Sequence, residues 1–307
     1  MTSTRDIKRR IKSIGNTKKI TRAMQMVSAA KMRKAVEAVL RTRTYANLSW
    51  ATILNLTKAV SKDGEVLHPF FESRQEVKKI GIILVTSNRG LCGGFNTALI
   101  KKVRESIIKH PGANGRPHET EFILLGKKGA TIYQYFKYNI AADFPKEDLA
   151  ESIKGILPVS KMAGEDFLAK KYDKIFVAYA DYINAIKQEP RVRQILPINE
   201  QAHKDFVNIT GMGNGVNGNG KTEYLFEPSP GDVLNDMVPR LIEVQIYQAM
   251  LESAASEHSA RMAAMRQATD AAGELVDELT LFYNKDRQAS ITAEIAEISA
   301  GANALKK

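Results

Sequence analysis

Residues 215–222, Gly-Val-Asn-Gly-Asn-Gly-Lys-Thr, satisfy G-x-x-x-x-G-K-[ST], the spacing with which backbone amides and a lysine cradle phosphates. The overlapping residues 213–218 satisfy G-x-G-x-x-G. Either pattern works only between a strand and a helix whose N-terminal amides hold the phosphate. Here residues 206–210 make a poor strand, and Glu223-Tyr-Leu-Phe-Glu-Pro228 reads as extended and stopped by proline. Five glycines in residues 211–220 generate such matches readily, so the stretch is read as a flexible surface loop and Lys221 as no nucleotide ligand.

Residues 85–96, Val-Thr-Ser-Asn-Arg-Gly-Leu-Cys-Gly-Gly-Phe-Asn, read as a strand-to-helix turn. Such a turn could hold an anion at the following helix N-terminus. On pattern alone the favoured reading is that its glycines allow close strand–helix passage. Cys92 has no neighbouring histidine to activate it and reads as a small buried side chain. As the single cysteine it excludes an intramolecular disulfide and a cysteine-rich zinc site, and it fits a reducing compartment. His68, His110, His118, His203 and His258 are scattered without metal-ligand spacing. No G-x-S-x-G elbow is present, and Asp277-Glu278 falls on a helix where a solvated face is the ordinary explanation. No catalytic, cofactor-binding or metal site is expected.

The elements that would carry these residues fall into three segments, 1–60, 61–230 and 231–307. From Arg5 to about Val60 there is no proline and one glycine, Gly15. Apolar residues recur at Ile7, Ile11, Ile14 and then Ile20, Met24, Val27, with a slip of phase near Gly15. This predicts one helix of roughly 55 residues, about 80 Å long, which must project or pair with another long helix. From about Asp232 to Ala300 a stripe runs through Val244, Tyr247, Leu251, Ala255, His258, Met262, Met265, Thr269, Ala272, Val276, Leu279 and Tyr283 in steps of three or four. That is a coiled-coil seam, and nine alanines between Ala249 and Ala272 let two backbones approach closely. Pro239 should kink this helix or mark its first turn. Between the two helices, strands are expected at 80–86, 121–125 and 174–180, with a fourth candidate at 192–198. Helices are expected at 96–109 and from Gly126 through Tyr138. The predicted fold is α/β: a long antiparallel coiled coil of the terminal helices with an inserted Rossmann-like, doubly wound domain.

Charge supports pairing the ends. The net charge is +11, and residues 1–45 hold thirteen Lys/Arg against Asp6 and Glu37, so the rest of the chain balances. Residues 233–307 hold seven basic and eleven acidic residues. The basic helix is either a nucleic-acid arm, which lacks interleaved aromatics, or a helix that faces acidic protein surfaces. A composition 44% hydrophobic and 26% charged is that of a soluble globular protein, and no apolar run reaches membrane-spanning length. Residues 1–10 are polar and basic, so no secretory signal peptide is expected.

Residues 7–33, Ile-Lys-Arg-Arg-Ile-Lys-Ser-Ile-Gly-Asn-Thr-Lys-Lys-Ile-Thr-Arg-Ala-Met-Gln-Met-Val-Ser-Ala-Ala-Lys-Met-Arg, resemble the N-terminal helix of the gamma subunit of F-type ATP synthase. The turn Arg89-Gly-Leu-Cys-Gly-Gly94 is similar to that family's central signature, as are residues 257–270 and 279–295 to its C-terminal motifs. Asn88 where the family usually has aspartate, Pro239, and the glycine-rich 211–220 loop depart from the pattern.

The resemblance implies the central rotor shaft of a rotary ATP synthase, mechanically coupling ion flow through the membrane sector to ATP synthesis and hydrolysis in the catalytic hexamer. The chain itself would be no enzyme and would need no cofactor. Its implied partners are the alpha and beta subunits of the hexamer, the epsilon subunit and the membrane rotor ring, with no nucleic acid and no directly bound nucleotide. Met24, Arg261, Arg287, Gln288, Thr292 and Glu294 are the implied contacts to the hexamer, and Phe226 and Glu227 the implied foot contacts to the rotor ring. With the motif starting close to Met1, a bacterial member is expected, peripheral on the cytoplasmic side of the inner membrane. The alternative is a coiled-coil nucleic-acid-binding protein, to be distinguished by steeply salt-dependent binding. If residues 215–222 hold no nucleotide, Lys221→Ala leaves ATP hydrolysis by an assembled complex within about twofold, below ~0.5 kcal/mol in barrier. Tight ATP binding by the isolated chain would overturn that reading.

Overall fold

The computed structural model describes residues 4–60, 68–74, 76–110, 118–146, 153–198, 227 and 229–304. Two long helices bracket the chain: α1, Thr4–Val60, of 57 residues, and α5, Pro230–Ala304, of 75. Between them run β1 (Lys79–Val85), α2 (Phe95–Lys109), β2 (Glu119–Leu125), α3 (Thr131–Phe136), β3 (Asn139–Phe144), α4 (Leu157–Leu168), β4 (Lys174–Tyr182) and β5 (Gln188–Leu196). The chain divides into two compact units, one of Ala29–Ala260 and one of Met1–Ser28 with Arg261–Lys307.

In the Ala29–Ala260 unit one five-stranded sheet has the order β3-β2-β1-β4-β5. Its first three junctions are parallel and the last, β4 with β5, is antiparallel. The period-two alternation of β1 splits the core. Ile80, Ile82 and Leu84 pack with Leu99, Ile100, Val103 and Ile107 of α2 and with Ile132 of α3. Ile83 and Val85 face the other way, where Val159, Ala163 and Phe167 of α4 join Ala35 and Val39 of α1 and a run from Leu234 to Ala255 of α5. The inserted sheet and the long helices of this unit therefore share one core. Burial of apolar area, at roughly 25 cal/mol per Å², is the main term holding them together.

The sheet departs from the sequence expectation in three places. The helix expected from Gly126 through Tyr138 is a 3-10 turn over Lys127–Ala130, then α3, ended by Lys137 in a left-handed conformation (φ 59°). The chain then forms β3, an alanine-containing edge strand whose composition hides it from a propensity reading. α4 was not anticipated. The fourth strand is longer than 192–198 and antiparallel, so the sheet is mixed; Pro190 is tolerated because β5 is an edge. In α5, Pro239 lies inside the helix, which begins nine residues earlier under the cap of Ser229, whose hydroxyl accepts from the Asp232 amide at 3.2 Å.

The unit of Met1–Ser28 and Arg261–Lys307 is a helix pair. Thr269 donates to Thr21 at 2.8 Å, and Lys18 lies against Gly273, so the numbers run in opposite directions and the helices are antiparallel. On α5 the seam is as expected: Met265, Thr269 and Ala272 are buried and Met262, Val276, Leu279 and Tyr283 half-buried. On α1 it differs. The covered positions here include 4, 7, 11, 14, 18, 21, 25 and 28, a three-four alternation filled after Ile14 by Lys18, Thr21, Gln25 and Ser28, with Asp6, Gly15 and the expected Met24 half-buried beside it. No slip occurs at Gly15. Ile20 and Val27, expected in the seam, are 61% and 56% exposed. Thr21 and Ser28 are small enough to let the alanine- and glycine-bearing face of α5 come close, and Thr269 donates to Thr21 there.

At the sheet ends, Gly126 holds φ 104° with its Cβ direction pointing at the Thr86 carbonyl oxygen, 2.4 Å from where a Cβ would sit. Gly126→Ala therefore meets both backbone strain and a rigid backbone neighbour, and is expected to destabilise the chain by about 3 kcal/mol or more. Urea unfolding of the purified chain measures this; a change under about 1 kcal/mol would contradict the geometry.

Candidate functional site

A doubly wound sheet binds ligands outside the carboxyl ends of its strands, where the strand order reverses. In this order the reversal lies between β1 and β4. That crevice is filled by the chain's own helix α5. Ser253 donates to the Val85 carbonyl at 3.3 Å, Ser256 to the Ala180 carbonyl at 3.0 Å, and Ser259 to the Ala185 carbonyl at 2.6 Å. Serines at every third residue of an alanine-rich helix thus satisfy strand-end carbonyls that a ligand or water would otherwise take.

One ion pair closes the crevice. Lys146, in the segment after β3, donates to Glu257 of α5 at 2.8 Å and to the Thr86 carbonyl at 3.0 Å, and the two side chains are only 1% and 7% exposed. The Asn88 amide donates to the Lys146 carbonyl at 2.6 Å, a donation that an aspartate at this position could not make. The turn that follows is closed on itself. Asn96 accepts from the Ser87 amide at 3.1 Å and donates to the Ser87 hydroxyl at 2.7 Å and to Cys92 at 3.4 Å. Cys92 is buried with Phe95 and Ala180, as its residue type suggested. The turn's glycines do not serve close passage: a Cβ on Gly90 or Gly94 would meet nothing, and Gly93 is there for its positive φ of 57°.

Beside the crevice lies a second polar cluster. Arg43 of α1 pairs with Glu252 of α5 at 3.1 Å, and Arg191 of β5 with Asp181 of β4 at 2.8 Å. Gln248 bridges Thr42 (2.7 Å) and Glu252 (2.9 Å). Burial, and next the facing Glu252 carboxylate, push the Asp181 carboxyl up to about 6, against the pull of Arg191 and Arg43.

Of the residues singled out by resemblance, Arg287, Gln288, Thr292 and Glu294 share one fully exposed stretch of α5; every residue from 287 to 302 is exposed. The Thr292 hydroxyl is turned back onto the Gln288 carbonyl at 2.9 Å. Met24 is half-buried on α1 and Arg261 is buried on α5, about 39 Å of helix rise before Arg287, so neither joins that group. Glu227 is exposed; Phe226 and the phosphate-loop matches at 213–222 lie outside the described residues. The sequence reading missed Lys146 and the serines of α5. Their three-residue spacing among alanines was the available signal.

Residues 3–305 match the family model described as ATP synthase. The ATP synthase gamma chain of Chloroflexus aurantiacus is 40% identical over 308 residues, covering 99% of each chain, and that of Herpetosiphon aurantiacus is 41% identical over 312 residues, covering all of both. Among solved structures, a chain of the Euglena gracilis mitochondrial ATP synthase (OSCP/F1/c-ring, rotational state 3) has the same fold, with TM-score 0.65 at 18% identity over 98% of this chain and 94% of that one. A chain of the Tetrahymena thermophila mitochondrial ATP synthase central stalk and c-ring aligns with TM-score 0.58 at 21% identity over 81% of this chain and 99% of that one.

The buried Asp181 makes stability depend on pH with a definite sign. Its carboxyl titrates near 3.8 when unfolded and near 6 when folded, so folding takes up a proton between those values. The resulting stabilisation is fully present below about 3.8 and lost as pH rises through 6, on the order of 2–3 kcal/mol in total. Denaturant titrations at several pH values between 4 and 7.5 should show this acid-side gain in the natural chain and not in Asp181→Asn. Equal slopes for the two would refute it.

Proposed function

The chain belongs to the ATP synthase gamma-chain family, and on that premise we propose that it turns as the central shaft of the rotor. It couples ion flow through the membrane sector mechanically to ATP synthesis and hydrolysis in a catalytic hexamer. The observation that carries this reading is the unpartnered end of α5: the antiparallel seam stops near Tyr283, and residues 287–302 continue as a single exposed helix. Ile291, Ile295 and Ile298, exposed along one face, give this helix an apolar contact surface, which this reading assigns to the bore of the hexamer. A shaft built of two unequal helices has no threefold symmetry, so as it turns it presents a different face to each catalytic subunit.

In this reading the chain performs no chemistry of its own. The crevice between β1 and β4 is filled by α5, and hydrolysis belongs to the alpha and beta subunits. The shaft helices 1–60 and 231–307 serve the hexamer, the inserted domain 61–230 meets the epsilon subunit and the membrane rotor ring, and Phe226 and Glu227 are assigned to ring contacts. Met24 and Arg261 are assigned to hexamer contacts on the helix pair, and Arg287, Gln288, Thr292 and Glu294 to contacts at its end. The site of action is the cytoplasmic face of a bacterial inner membrane, reached through partners. Among the described residues no helix is long and apolar enough to cross a membrane. The nucleic-acid alternative has no support from the comparisons, and the thirteen basic residues of residues 1–45 are read instead as facing acidic protein surfaces.

Arg287 and Gln288 are exposed neighbouring donors on the bare helix, able to grip acceptors on one catalytic subunit at a time. A hydrogen bond to a charged group contributes roughly 1.5–3 kcal/mol, enough to transmit force and weak enough to break at each step. Arg287→Ala/Gln288→Ala should impair ion-driven ATP synthesis in a complex that still assembles. Arg287→Lys should be milder, since it keeps charge and loses only the fork. Wild-type synthesis by the double variant under the same ion gradient would remove these residues from that role.

A further inference from the structure

α5 is keyed to the sheet differently along its length. Before residue 252, large side chains such as Leu241, Ile242, Ile246, Met250 and Leu251 interlock with the core. Over residues 253–259 every residue is buried, His258 included, but the side chains that meet the strand and loop carbonyls are the short ones of Ser253, Ser256 and Ser259, a face of low relief. Apolar contact on such a face is non-directional and resists sliding or rotation weakly. Directional bonds hold the helix there, among them three serine hydroxyls on the carbonyls of Val85, Ala180 and Ala185, and the Lys146–Glu257 pair.

The ion pair differs from the serines in kind. Both its ends are buried and charged, so pulling it apart leaves two unpaired charges away from water, which costs far more than releasing a serine bond. Its lysine is also tied to the end of β1, through the Thr86 carbonyl and through Asn88 on the Lys146 carbonyl. We propose that Lys146 and Glu257 are positioning residues for coupling: they are the stop through which torque passes between the inserted domain and the shaft helix α5. This rests on the shaft reading above.

The test uses the complete complex in sealed vesicles, with ATP hydrolysis and ATP-driven ion pumping measured together, once with the ion gradient collapsed and once with it built up. Lys146→Met/Glu257→Met replaces the pair by apolar side chains of similar length, a change that folds often tolerate. Against a built-up gradient this variant should pump about threefold fewer ions per ATP than the natural chain, with near-normal pumping per ATP when the gradient is collapsed; Glu257→Gln should fall between. A merely structural role would reduce the amount of complex, or both rates together, without a load-dependent ratio. Removing the exposed Lys161–Glu165 pair of α4 with Lys161→Ala/Glu165→Ala should leave the ratio unchanged. An unchanged ratio under load in the assembled double variant overturns the proposal. Should that variant fail to assemble, an unchanged ratio in Glu257→Gln does so. If the natural chain supports no pumping at all with its hexamer and ring, the shaft reading fails, and the torque stop with it.

Discussion

A parallel sheet ends in carbonyls and a polar crevice that something must satisfy, and in this chain the occupant is covalently attached. Ser253, Ser256 and Ser259 of α5 bond the strand-end and loop carbonyls, and Glu257 takes the position an anionic ligand would take against Lys146. Most features of the Ala29–Ala260 unit follow from this closure. The crevice is not open to a ligand, α5 shares the core of the sheet, and the domain and helix are joined by directional bonds as well as by apolar area. For a part whose work is transmitting force, a joint that cannot exchange its ligand is an advantage.

The helix pair solves the opposite problem. On α1 its seam is apolar through Ile7, Ile11 and Ile14 and polar beyond, with Thr21 against Thr269 and Lys18 beside Gly273, and some large apolar side chains of α1 are left outside. Small seam residues permit close backbone approach but bury little area, so each turn contributes modestly and cohesion accumulates over many turns. Ile20, Met26 and Val27, exposed along α1 among lysines and arginines, give a mixed apolar and basic surface suited to acidic protein partners.

The buried acids at the junction of α1, α5, β4 and β5 show a cost the fold accepts. Asp181 and Glu252 face each other away from water, and Arg43 and Arg191 offset only part of the repulsion. Such a cluster contributes little net stability compared with an apolar core of the same volume. It does tie four elements together at once, through Arg43 of α1, Glu252 of α5, Asp181 of β4 and Arg191 of β5.

The sequence by itself determined the two long helices, three of the strands and the seam of α5 beside α1. These depend on local periodicity and residue type, which a single chain displays directly. Residue motifs at both ends and at the 89–94 turn carried the family. What the tertiary structure decided was the register of the α1 seam, the edge strand β3, the extent and antiparallel pairing of β5, helix α4, and the joint of Lys146 with Glu257. In each case the deciding partner is distant in sequence. Thr21 is in a seam because Thr269 faces it, and Ala142 is in a strand because Ile123 pairs with it. Lys146 is a buried cation because Glu257, 111 residues away, neutralises it. Polar residues in a seam and alanines in a strand run against their propensities, and only the energy of the contact they complete can outweigh those propensities.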